Sequence, residues 1–133
     1  MSERTIILNR ENYDVLRKLV EKLRSSGKLQ APHFARLARE LTEARVVESS
    51  DIPDDIVTLY SRVRWTALDT DREGEGILVF PAEVRNLEDR VSVLSPFGLA
   101  LIGEQEGTVI TYEAPGGTYR VRIDRVEHLQ PVT

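Results

Sequence analysis

The sequence contains no cysteine, which removes disulfides, thiol nucleophiles and thiolate metal sites together and fits a reducing compartment. It also lacks any run of about 18 apolar residues, so no segment reads as a membrane-spanning helix. The start, Met1-Ser2-Glu3-Arg4 before a short strand-like patch Ile6-Ile7-Leu8, has no signal-peptide stretch, and a cytoplasmic location is the expectation. Aromatics are scarce, with one Trp, four Tyr and three Phe. An excess of positive charge is lacking too. Eighteen Lys and Arg against 22 Asp and Glu leave a net charge of −4, not the basic field on which nonspecific duplex binding relies. What remains is a 133-residue chain with 30% charged residues of mixed sign, enough for one sizeable core or a small domain with an appendage.

Two apolar stripes at helical spacing fill the first part. Tyr13, Leu16, Val20 and Leu23 recur at three, four and three residues, with Asn9 as N-cap and Glu11 in the first turn, where the helix dipole favours an anion. After Ser25-Ser26-Gly27-Lys28 the spacing restarts with Phe34, Leu37, Leu41 and Ala44, and Pro32 suits the first turn. These features predict an antiparallel helical hairpin over 1–47, with helices of about 14 to 16 residues that span about 21 to 24 Å. If its stripe stays open, the hairpin offers a surface for self-association. The aperiodic stretch 48–56, with Pro53 among acids, reads as a linker.

From 57 to 133 the period changes to two. Val63, Trp65 and Ala67 alternate with Arg62, Arg64 and Thr66, a turn is expected over Asp69 to Gly74, and strands follow at Ile77 to Phe80 and from Arg90. Val109 to Tyr112 and the clean alternation of Tyr119, Val121 and Ile123 with Arg120, Arg122 and Asp124 flank an Ala-Pro-Gly-Gly turn. Between them, Ser95-Pro96-Phe97-Gly98-Leu99-Ala100-Leu101-Ile102-Gly103 spells a short helix. Serine is its N-cap, proline its first residue, and glycine the left-handed exit. The fold class is therefore α+β, a helical hairpin followed by an antiparallel sheet with one short helix.

The order Ser95-Pro96, Leu101-Ile102-Gly103, Gly107, Pro115-Gly116-Gly117 and Val126-Glu127 resembles the C-terminal domain of the bacterial Gre transcript-cleavage factors. A hairpin shorter than the Gre arm, followed by Ile52-Pro53-Asp54-Asp55-Ile56-Val57-Thr58 and Ser61-Arg62-Val63, is similar to the Rnk branch, the regulators of nucleoside diphosphate kinase. This resemblance implies an FKBP-like second unit and docking on RNA polymerase, at the secondary-channel rim, on the coiled coil of the largest catalytic subunit. It also implies a contact through the Ser-Pro loop, which here comprises Leu94, Ser95, Pro96 and Phe97. An acidic residue commonly precedes that serine in the cleavage factors, and Leu94 stands there instead.

In Gre factors, acidic residues at the hairpin tip help hold a Mg²⁺ ion, a hard cation that takes oxygen ligands. Here the tip from Arg24 to His33 contains no Asp or Glu, and Arg24 and Lys28, flanking Gly27, make it basic. The expectation is a polymerase-binding regulator that competes with or modulates other channel-binding factors without cleavage, meeting nucleic acid only through polymerase. The pairs Arg62/Arg64 and Arg120/Arg122 face outward by alternation, as either a solvated face or a basic patch for an acidic partner. No catalytic constellation, metal set or cofactor motif is present. His33 and His128 lack companions at ligand spacing, and Pro115-Gly116-Gly117 precedes no phosphate-loop helix. Two alternatives remain. A peptidyl-prolyl isomerase would need an aromatic-lined pocket from dispersed aromatics, and direct regulation of nucleoside diphosphate kinase rests on the family name.

Overall fold

The computed structural model describes residues 5–85 and 87–129. Met1 to Arg4, where the start was read as lacking a signal stretch, lie outside them. The chain divides into two compact units, Met1–Ile52 and Pro53–Thr133.

In the first unit the two stripes form helices α1 (Arg10–Ser25) and α2 (Pro32–Glu43). The Asn9 side chain caps α1 by accepting from the Asn12 N–H at 2.7 Å, and Pro32 opens α2. The second helix is shorter than expected, 12 residues, because Ala44 leaves it in extended conformation. That exit leads into an element the sequence reading missed. β2 (Arg45–Val47) pairs in parallel with β1 (Ile7–Asn9), so the unit runs β-α-α-β. Ile6 and Leu8 are buried together with Leu16, Val20, Leu37 and Leu41. The other stripe residues, Tyr13, Leu23, Phe34 and Ala44, are half-buried. Arg10 pairs with Glu48 at 2.8 Å and Ser49 with Glu11, which ties the first residues after β2 back to α1.

The second unit is a five-stranded sheet in the order β5-β4-β3-β7-β6, made of β3 (Ser61–Ala67), β4 (Arg72–Val79), β5 (Arg90–Ser92), β6 (Val109–Ala114) and β7 (Gly117–His128). The sheet is not wholly antiparallel, because β5 runs parallel to β4. The crossover between them holds a 3₁₀ turn at Pro81–Glu83. The turn after β3 is tighter than expected: β4 begins at Arg72, and Asp71 takes the left-handed conformation (φ +57°). Helix α3 (Pro96–Leu101) follows β5 and contacts β6, burying Leu99, Leu101 and Ile102. Gly103 leaves it at φ +78°. Ile56 and Val57 are buried, and Val57 exchanges backbone hydrogen bonds with Gly103 and Glu104, both at 2.9 Å. They belong to this unit.

One irregularity decides which side chains face which way. Arg64 pairs with Arg125, but the next pair is Trp65 with Ile123, so Asp124 is an extra residue in β7, a β-bulge. Beyond the bulge the alternation of β7 inverts. Val126 is buried and Arg125 is exposed, although strict period two from Val121 and Ile123 would have turned Arg125 inward.

Candidate functional site

The corner entering α3 is held by one hydroxyl. Ser95 Oγ accepts from the Gly98 N–H at 3.0 Å and donates to the Ser92 carbonyl at 2.7 Å, and that carbonyl also accepts from the Ser95 N–H at 3.0 Å. The Leu94 N–H donates to Ser92 Oγ at 3.1 Å. Gly98 is required here: a Cβ would lie 2.0 Å from the Ser92 carbonyl oxygen, so only glycine lets α3 sit this close to the end of β5. Leu94, Ser95, Pro96 and Phe97 are brought together on this support and each is half-buried. A rigid corner that keeps apolar surface available can make a contact that costs little ordering entropy.

Phe97 extends the corner into an aromatic row. Its ring meets Trp65 edge-on at 4.8 Å and Tyr112 at 5.2 Å, and Tyr112 stacks on Tyr119 at 5.4 Å. Trp65, which alternates with the arginines of β3, is half-buried on the sheet, and its indole lies across two glycines of β4. A Cβ on Gly74 would come within 2.4 Å of Trp65 Nε1, and one on Gly76 within 3.2 Å of its Cη2. Four aromatics that look dispersed in sequence therefore share one face. The missed signal was the pair Gly74 and Gly76, of which the expected turn took in only Gly74, although glycines in a strand mark a close approach.

The opposite face of the sheet carries Arg62, Arg64, Arg120 and Arg122, joined by Arg125 through the bulge. It is mixed in charge, not basic. Arg64 pairs with Glu75 at 2.7 Å, and Arg122 with Asp124 at 2.6 Å. The hydrogen bond from Arg64 holds the Glu75 carboxyl below its usual range. For Asp124, partial burial pushes upward, but bonds from Thr66 (2.5 Å) and Arg122 prevail and its pKa is lowered. Five arginines thus share the face with Glu73, Glu75, Asp124 and Glu127, which corrects the idea of a purely basic contact patch.

At the end of the helical unit, Arg24 pairs with Glu21 at 2.6 Å within α1, Gly27 is left-handed at φ +75°, and Lys28 starts a 3₁₀ turn. His33 packs against Phe34 in a tilted arrangement with ring centroids 4.2 Å apart, while His128 Nε2 lies 2.6 Å from the Ile56 carbonyl in the other unit. Among the described residues no three His, Asp or Glu side chains gather as a metal-holding group, and no helix is long and apolar enough to cross a membrane.

A mixed sheet with a serine-capped, proline-led helix seated on it by a glycine is the frame of this domain. Residues 52–128 match the C-terminal domain of the transcription elongation factors GreA and GreB, and the chain belongs to that family. The regulator of nucleoside diphosphate kinase of Escherichia coli K12 is 33% identical over 117 residues, 88% of this chain and 84% of that protein. GreA of Syntrophomonas wolfei is 34% identical over 91 residues, 68% of this chain but 57% of its own length. The solved structure of a prokaryotic transcription elongation factor GreA/GreB from Nitrosomonas europaea superposes with a TM-score of 0.76 at 32% identity, covering 95% of this chain and all of that one.

Proposed function

We propose that the protein is a transcription regulator that binds RNA polymerase at the rim of the secondary channel, on the coiled coil of the largest catalytic subunit. There it competes with or modulates other channel-binding factors without stimulating cleavage. The second unit acts as an FKBP-like docking domain and the two helices as a short arm. The observation that carries the reading is the Leu94–Phe97 corner, half-exposed on a hydrogen-bonded support within the family's domain. The absence of cleavage follows from the tip. Between Arg24 and His33 there is no carboxylate to serve a hard divalent ion, the nearest, Glu21, is engaged by Arg24, and Lys28 adds a positive charge.

The test is competition against a Gre cleavage factor on a backtracked elongation complex. The expected result is inhibition of factor-stimulated cleavage and no cleavage from this protein alone. Cleavage by the protein itself would defeat the tip argument, and undiminished cleavage by the Gre factor at saturating protein would defeat the docking argument. Ser95→Ala costs about 1 kcal/mol of capping and leaves the domain folded, so its weakened competition would locate the contact.

A second reading follows from the relative named as a regulator of nucleoside diphosphate kinase, and it would prevail if the purified protein bound that kinase and ignored polymerase. The isomerase alternative has less support. The four gathered aromatic rings pack against one another, edge-on, tilted or stacked, instead of standing apart as pocket walls.

A further inference from the structure

The sheet face opposite α3 holds a cleft of about 220 Å³ lined by Arg62, Arg64, Glu75, Arg125 and Glu127. Its geometry follows from the bulge at Asp124. In the middle of the sheet Arg64 stands between Glu75 on β4 and Arg125 on β7, and Arg62, two residues along the same strand, stands opposite Glu127. Like charges directly opposite one another weaken a strand pair, so the Arg64–Arg125 placement is one that sheet stability disfavours. Glu75 neutralises Arg64 at 2.7 Å, but among the described residues neither Arg62 nor Arg125 has an ion-pair partner. Three guanidinium groups line one concavity, and among the described residues those of Arg62 and Arg125 have no hydrogen-bond partner.

We infer that this cleft is an anion site for a small oligophosphate, free inorganic tripolyphosphate or a nucleoside polyphosphate, which the relationship to elongation factors does not supply. Guanidinium forks match phosphate oxygens in pairs, and a ligand with several linked phosphates can span Arg62 and Arg125 while Arg64 stays held by Glu75. The two carboxylates limit what fits. They oppose a long uniform polyanion along the face, and Glu127 can accept hydrogen bonds from sugar hydroxyls if the phosphates belong to a nucleotide. The groove is open to solvent, so affinity should be moderate and fall with salt.

The experiment follows binding of tripolyphosphate, of a nucleoside triphosphate and of a short single-stranded RNA to the full chain. Calorimetry and the arginine Nε–H resonances supply the readouts, at low and at physiological salt. Tripolyphosphate or the nucleotide should bind and shift the resonances of Arg62 and Arg125. Arg62→Gln and Arg125→Gln should each weaken binding about tenfold. Arg24→Gln, in the other unit, should leave binding unchanged. Melting temperature without ligand checks the fold: Arg125→Gln removes a like-charge contact and should melt no lower than wild type, while losing the stabilisation that ligand confers. The proposal is overturned if neither phosphate ligand binds, if RNA alone binds, if the Arg24 variant loses as much affinity, or if a folded Arg62/Arg125 double variant binds like wild type.

Discussion

Replacing Gly98 by alanine tests the corner most directly, because the new atom meets only backbone. The Cβ would lie 2.0 Å from the Ser92 oxygen, 2.9 Å from its carbonyl carbon and 3.0 Å from Val93 Cα, and none of these can rotate away. Ordinary contact begins at 3.4 Å, so α3 must retreat by about 1.4 Å, the difference between 3.4 and 2.0 Å. That retreat breaks the two bonds from Ser95 to the Ser92 carbonyl, now 2.7 and 3.0 Å, and loosens the burial of Leu99, Leu101 and Ile102. Overpacking costs about 1–3 kcal/mol and loss of the serine anchor about 1 kcal/mol. Alanine returns about 1 kcal/mol of helix propensity. The net destabilisation is about 2 kcal/mol, which for a domain of this size lowers the melting temperature by about 8 to 16 °C. Thermal unfolding followed by circular dichroism measures it. Gly27→Ala serves as the contrast, since nothing lies within 4 Å of its Cβ and its cost of about 1 kcal/mol comes only from the left-handed backbone. A Gly98→Ala protein that melts at or above the wild-type temperature with unchanged spectra would refute the seating of α3 on Ser92. On the proposed docking, polymerase affinity should fall with stability, because the corner moves with the helix.

The remaining predictions use single side chains as reporters. Trp65 is the only tryptophan, so Gly74→Ala, which drives a methyl into the indole, should red-shift its emission; unshifted emission would mean that the ring does not cover the glycine. Trp65→Ala should cost about 2–3 kcal/mol in urea denaturation, less than a fully buried tryptophan because the ring is half exposed. Tyr60, pushed up to about 12 by partial burial and then by its 2.7 Å bond to Glu83, should ionise above the ordinary tyrosine range in an absorbance titration. Its folded pKa lies above the unfolded value near 10.0, so the linked stability is complete below pH 10.0 and is lost as pH rises towards about 12. Tyr60→Phe should remove that part of the alkaline slope, and an unchanged slope would count against the assignment.

The helices were legible because their signals are local: Asn9, Pro32 and two apolar stripes act within a few residues of one another. The same holds for the Ser95–Gly103 helix, whose cap, first residue and exit all behave as their chemistry dictates. What stayed hidden depends on partners distant in sequence. Arg45–Val47 has no periodicity of its own and becomes a strand only because Ile7–Asn9 lies alongside. Gly74 reads as the end of a turn, and Gly76 shows no role, until Trp65 covers both from the neighbouring strand. The Arg-rich face was half visible. Period two placed Arg62, Arg64, Arg120 and Arg122 together but turned Arg125 inward. The clue was the spacing of three from Ile123 to Val126, which keeps both residues buried only if one residue bulges.

That bulge also sets how the two faces of the sheet can be tested separately. β3 and β7 supply both the aromatic row beside α3 and the arginines behind it, with alternate residues committed to opposite sides. Arg62→Gln and Arg125→Gln therefore change one surface, while Trp65 and the Ser95 corner report on the other. Polymerase competition that survives the arginine substitutions, together with oligophosphate binding that survives Ser95→Ala, would establish two independent surfaces on one sheet. Joint loss in either variant would instead mean that the two faces are coupled through the strands they share, because alternate residues of β3 and β7 serve both and the bulge at Asp124 sets their register.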